Sequence, residues 1–208
     1  MSKVIQSALG MLAAAALASI SVPALAQAPY AEATPTKKEP VQFTAFAVQM
    51  QTSMSGVVDI TIEQWSTEAE RNALVAQVQK TTDSEADQRK LLKALQDIKV
   101  RAGFIRTPNS LGWDIKYAHE AALPDGSRQV VVATDKPVSF GMAASGQAYD
   151  AAFALIEIHF PKGSSKGEGK MLGQTGISFK DGKLQLEAYV NEPTRLTEVT
   201  EKNPKVKK

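Results

Sequence analysis

The stretch Val57-Val-Asp-Ile-Thr-Ile-Glu-Gln-Trp65 decides the fold class. Val58, Ile60 and Ile62 alternate with Asp59, Thr61 and Glu63, and a period of two sends one set to a buried face and the other to solvent, the signature of a half-buried β-strand. Upstream, Val41 to Met50 is a second apolar and aromatic run, and Ser55-Gly56 reads as the break between the two. The pair is predicted to form an antiparallel hairpin.

Downstream of Trp65 the period changes. Thr67 lies three residues before Glu70, and Thr82 three before Glu85, the spacing at which a side-chain oxygen and a carboxylate cap each other's backbone amides at a helix start. Leu74, Val75 and Val78 then share one face of a first helix, and Leu91, Leu92, Leu95 and Ile98 one face of a second. The polar linker from Thr81 to Asp83 is short, so the two are expected to pack as a helical hairpin on the sheet.

Beyond Val100 strand patterns return: Val100 to Arg106, Trp113 to Glu120, Arg128 to Thr134, Ala152 to Phe160, Lys170 to Phe179, Leu184 to Val190 and Thr194 to Thr200. Asp125-Gly126 and Asp181-Gly182 between them are hairpin signals, because glycine enters positive φ without steric cost. The predicted class is α+β: a mainly antiparallel, strongly bent sheet or partly closed β-barrel with a two-helix insertion after the second strand.

The start of the chain has the layout of a secretory signal. Lys3 precedes an apolar run from Ala8 to Val22, Pro23 breaks it, and the small-x-small patterns around Ala24, Ala26 and Ala28 predict cleavage after Ala28 or Ala26. Residues 1–28 are thus expected as a cleaved signal, 29–40 as a flexible leader, 41–200 as a single β-rich domain and 201–208 as a basic disordered tail. A periplasmic or secreted, soluble protein with no transmembrane anchor after cleavage is the expectation. With Lys3 removed, 23 of the 24 basic residues remain against 22 acidic ones, a near-neutral balance that speaks against bulk capture of nucleic acid. The chain has no cysteine, which excludes disulfides, thiolate metal sites and thiol nucleophiles.

Chemistry-bearing patterns are sparse, and no cofactor motif is present. Gly163-Ser-Ser-Lys-Gly167 fits the Gly-x-Ser-x-Gly spelling of serine hydrolases. It runs on into Lys-Gly-Glu-Gly-Lys170, however, and so reads as a flexible polar turn, without the strand-to-helix elbow that exposes a nucleophile. The two histidines are His119 and His159; Glu157 and His159, two apart on a strand, share a face and are the candidates for a metal or acid/base pair. Asp59, Glu63 and Glu157 are the acids a hydrolase of envelope polymers would draw on.

The connection Ile105-Arg-Thr-Pro-Asn-Ser-Leu-Gly-Trp-Asp114 joins two strands with specific polar residues. As structure it is a rigid link, with Arg106 paired to Asp114 and Asn109-Ser110 folding a side-chain turn. As function it is a ligand-contacting rim with Arg106 as anion donor beside Trp113 and Asp114, since a guanidinium grips carboxylate or phosphate bidentately. A second connection, from Lys136 to Tyr149, is unusually apolar. It reads as a plug at one end of the sheet or as a lid carrying Phe140 and Met142 over an interior pocket.

Taken together, the stretches Ile60 to Thr67 with Glu70 and Arg71, Ile105 to Asp114, Ala133 to Pro137, Gly167 to Lys170 and Pro193 to Thr197 resemble a family of exported bacterial proteins to which no activity is assigned. The resemblance covers nearly the whole mature domain, implies a signal peptide, and carries over no catalytic or binding residues. The functional expectation is a non-enzymatic periplasmic or secreted protein that binds an apolar or amphipathic small molecule or a partner protein. The alternatives are the carboxylate hydrolase and a surface-interaction protein that meets its partner through exposed strand edges.

Overall fold

The computed structural model describes residues 34–49, 54–79, 85–108, 110–138, 153–173, 176–180, 183–187 and 193–202. The signal, the first residues of the leader, Thr82, Asn109, Phe140, Met142, Asp181-Gly182 and residues 203–208 of the tail lie outside them. In chain order the elements are β1 (Val41–Gln49), β2 (Met54–Ile62), α1 (Glu68–Gln79), α2 (Glu85–Asp97), β3 (Gly103–Arg106), β4 (Trp113–Ala122), β5 (Arg128–Thr134), β6 (Ala154–Phe160), β7 (Lys166–Gly173), β8 (Gly176–Lys180), β9 (Lys183–Glu187) and β10 (Thr194–Lys202). Eight strands close a barrel in the order β1-β10-β7-β6-β5-β4-β3-β2, every pair antiparallel, while β8 and β9 form a separate hairpin. The helices follow β2, as expected. The bent sheet is fully closed, since β1 bonds both β2 and β10 and so leaves no free end to the sheet order.

Alternation places the inner set. Phe43, Ile60, Ile105, Ile115, Ile156, Ile158, Phe160 and Leu196 are all fully buried within one cluster in the barrel, and Trp65 and Trp113 pack half-buried against it. A bulge between Ile115 and Tyr117 shifts the phase of β4, so that Ile115, Ala118 and Glu120 are buried while Tyr117 turns to the outer face. There Tyr117, Val131, Leu155 and Leu172 meet Leu74, Leu91 and Leu95 of the two helices in a second apolar layer. This is why β5 is buried on both faces: one lines the barrel, and on the other Val131 and Ala133 lie beneath α1 and α2 while Gln129 bonds Glu157 of β6.

Local signals act as their chemistry requires. The Glu70 amide donates to Thr67 Oγ1 (3.2 Å) and the Thr67 amide to a Glu70 carboxylate oxygen (2.8 Å), closing the capping box. Gly126, at φ 83°, turns the β4–β5 hairpin, with its amide bonded to Leu123 O at 2.9 Å. Two expectations are corrected. Ser55-Gly56 belongs to β2 rather than breaking the hairpin. Lys166–Lys170, expected as a polar turn, is the first half of β7: a Cβ on Gly167 would stand 2.8 Å from Phe160 Cδ1 and one on Gly169 3.3 Å from an Ile158 side-chain carbon. The glycines are there for close packing, which composition alone reads as flexibility.

Candidate functional site

At the end of β3, Phe104 and Arg106 lie two residues apart and so share the outer face of the barrel. The Arg106 guanidinium lies 4.7 Å from the Phe104 ring centroid, and Arg101 reaches the same ring at 5.5 Å, so one aromatic serves two cations. Arg101 is committed to carboxylates: it bonds both oxygens of Glu63 (3.1 Å each) and Asp114 (3.3 Å). Hydrogen bonding to Glu63 outweighs the opposing effect of burial and, with Asp114 adding to the rise, lifts its pKa above the ordinary guanidinium value.

Arg106 is different. Its expected partner, Asp114, belongs instead to Arg101, because the β3–β4 register sets Asp114 opposite Phe104 and leaves Arg106 beyond it. The carboxylate directly across from Arg106 in the β2–β3 register is Asp59. That one accepts from Thr44 Oγ1 (2.8 Å) and Lys202 Nζ (3.0 Å). Burial pushes the Asp59 pKa up, but these two contacts outweigh it and hold the carboxyl below its ordinary value. Among the described residues no carboxylate bonds Arg106, and its exposed guanidinium keeps its donors for something else.

The connection after Arg106 is ordered by its own polar groups. The Thr107 amide donates to Ser110 Oγ (3.0 Å), the Ser110 amide to Thr107 O (3.1 Å), and Gly112 holds φ 96° where a Cβ would strike Ile105 O at 2.7 Å. The turn presents Leu111 fully to solvent, and Gly112 lies against the stem of Arg106. Phe46 and Val57, paired in register on the neighbouring strands, are also exposed on the outer face. Trp113 turns inward against the barrel core while Asp114 stays exposed. The structure thus brings Arg106 and Phe104 together, with the exposed Leu111 in the turn that follows. Phe104 is the contributor that sequence reasoning missed, although its i, i+2 relation to Arg106 was legible.

The other candidates lie apart. Glu157 and His159 share the outer face of β6, but Glu157 is taken by Gln129 (2.5 Å) and Lys170 (3.2 Å), while His159 meets the buried Ser127 (3.1 Å). Ser127 Oγ is also 2.5 Å from Asp125. Its proton therefore has a carboxylate to go to, so the imidazole is left as donor to it, not as its base. Among the described residues no group of three or more acidic or histidine side chains is placed to hold a metal. Inside the barrel, Arg128 bonds Glu120 (2.7 Å) and Glu201 and lies 4.3 Å over the Phe160 ring. Burial opposes its charge, but the two carboxylates outweigh that and raise its pKa.

Fold and rim together define a closed antiparallel barrel that carries on its outer face an aromatic-backed arginine, Arg106, with no carboxylate partner among the described residues. No family model, curated protein or solved structure matches the chain.

Proposed function

We propose that this is a non-enzymatic periplasmic or secreted protein of the exported family it resembles, and that it binds an anionic, partly apolar ligand at the β3–β4 rim. The ligand is an amphipathic small molecule or a segment of a partner protein. One observation carries the reading: the carboxylate across from Arg106 in register, Asp59, is committed to Lys202, and the partner expected from the sequence, Asp114, to Arg101. A guanidinium stacked on an aromatic ring, with unused donors, offers a charge-assisted contact with an apolar surface directly behind it. The fully buried side chains of the barrel's middle favour the rim over the interior as the binding place. A hydrolase finds less support, since Asp59, Glu63 and Glu157 each lie against a cation.

The test is a calorimetric titration of the mature protein with dodecanoate, dodecyl phosphate and dodecyltrimethylammonium. The two anions are expected to bind and the cation not, and Arg106→Gln should weaken anion binding by about tenfold, the worth of one charge-assisted hydrogen bond. Equal affinity in Arg106→Gln would remove Arg106 from the site.

A further inference from the structure

β2 has nine residues and β3 four, and the two pair only over Asp59–Ile62. Past Arg106, on the side away from β1, Ser55 to Val58 have no backbone hydrogen-bond partner among the described residues. Val58 has no exposed surface, so its peptide groups are paired, and the partner available is Ala45 of β1. Antiparallel strands direct the peptide groups of successive residues to opposite sides, which turns those of Ser55 and Val57 to the open side. Both residues are exposed. Among the described residues the barrel, closed in its strand order, therefore keeps a short open edge at Ser55 and Val57, and that edge runs out from Arg106.

The geometry points to an extended acidic peptide segment as the ligand of the rim, added as a strand along Ser55–Val57 with its carboxylate on Arg106. This rests on Arg106 being the anion donor. A strand continuing the line of β3 has side chains on the Arg106 face at every second residue, so an acidic residue opposite Val57 falls next to the guanidinium. Apolar residues beside it on that face meet the exposed pair Val57 and Phe46. Main-chain bonds give such an addition its affinity and alternate side chains its selectivity. The unpaired peptide groups also choose between occupants. A lipid surface laid over this face would leave them unsatisfied, whereas a peptide backbone satisfies them.

The probe is a short blocked peptide alternating threonine and valine around a central glutamate, added to the mature protein and followed by amide hydrogen exchange. Ser55 and Val57 amides are expected to exchange at least about tenfold more slowly with the peptide. A peptide N-methylated on alternate backbone nitrogens should give no such protection, and a glutamine in place of glutamate should bind about tenfold more weakly. No protection at about 1 mM peptide, or equal protection from the N-methylated peptide, overturns strand addition. If dodecanoate still binds in an Arg106-dependent way in that case, the rim stands and only the peptide is wrong. If instead the peptide protects Ser55 and Val57 equally in Arg106→Gln, the edge stands and the Arg106 reading falls.

Discussion

Arg128 lies inside the barrel with its guanidinium carbon 4.3 Å from the centre of the Phe160 ring, while its nitrogens bond Glu120 of β4 and Glu201 of β10. One cation thus joins strands far apart in the chain, at the end of the barrel where β10 finishes. Removing it leaves two carboxylates buried near each other. Arg128→Ala is expected to cost about 3–5 kcal/mol, read as a lower urea midpoint. A loss below about 1 kcal/mol would mean that the two acids relax outward.

The glycines of β7 and β2 should respond in opposite ways. A Cβ on Gly167 would lie 2.4 Å from His159 O and 2.8 Å from Phe160, so Gly167→Ala is expected to destabilise by about 2 kcal/mol or more. Gly56 has nothing within 4 Å of the same position, and Gly56→Ala should be neutral or stabilise by up to about 1 kcal/mol. Thermal melts of the two variants check the pair.

Tyr117 lies between the outer face of β4 and the helices, and burial pushes its phenol up to about 12, with Glu68 and Glu70 adding to the rise and Arg71 opposing it. Below pH about 10 both folded and unfolded chains keep the proton and the contribution is fully present. As pH rises toward 12 the unfolded chain ionises first, so stability falls, by about 2–3 kcal/mol in all. Denaturation across this range should show the loss in the native protein and a shallower one in Tyr117→Phe.

Asp59 titrates the other way. Its folded pKa is below 3.8, so its contribution is present above that pH and is lost as pH falls through the lower folded value. The pair with Lys202 is half-exposed on both sides, which keeps the effect within about 1 kcal/mol. Lys202→Met releases Asp59 toward Arg106, its neighbour in register, and should weaken dodecanoate binding about threefold with little change in stability.

Much of the fold was legible because its signals are local. The Thr67–Glu70 box, the alternation of Val58, Ile60 and Ile62, and the turn at Gly126 each involve residues a few positions apart, where chain geometry alone fixes which groups meet. Less local features were misread. The polar, glycine-rich run from Lys166 to Lys170 looks like a turn until Phe160 and Ile158 are seen to need the space. Arg106 was visible as an anion donor, but its freedom was not. It depends on Asp114 turning to Arg101 and on Asp59 being held by Lys202, 143 positions along the chain.

By itself the sequence determined a cysteine-free, β-rich chain with a helical pair after its second strand, since hydrophobic period and capping chemistry are written residue by residue. Closure of the barrel, the inward turn of Glu120, Arg128 and Glu201, and the open edge at Ser55 and Val57 were decided only by the tertiary structure. The reason is physical: strand order, register and bulge position set which distant side chains face one another, and a one-residue shift in any of them reverses every face.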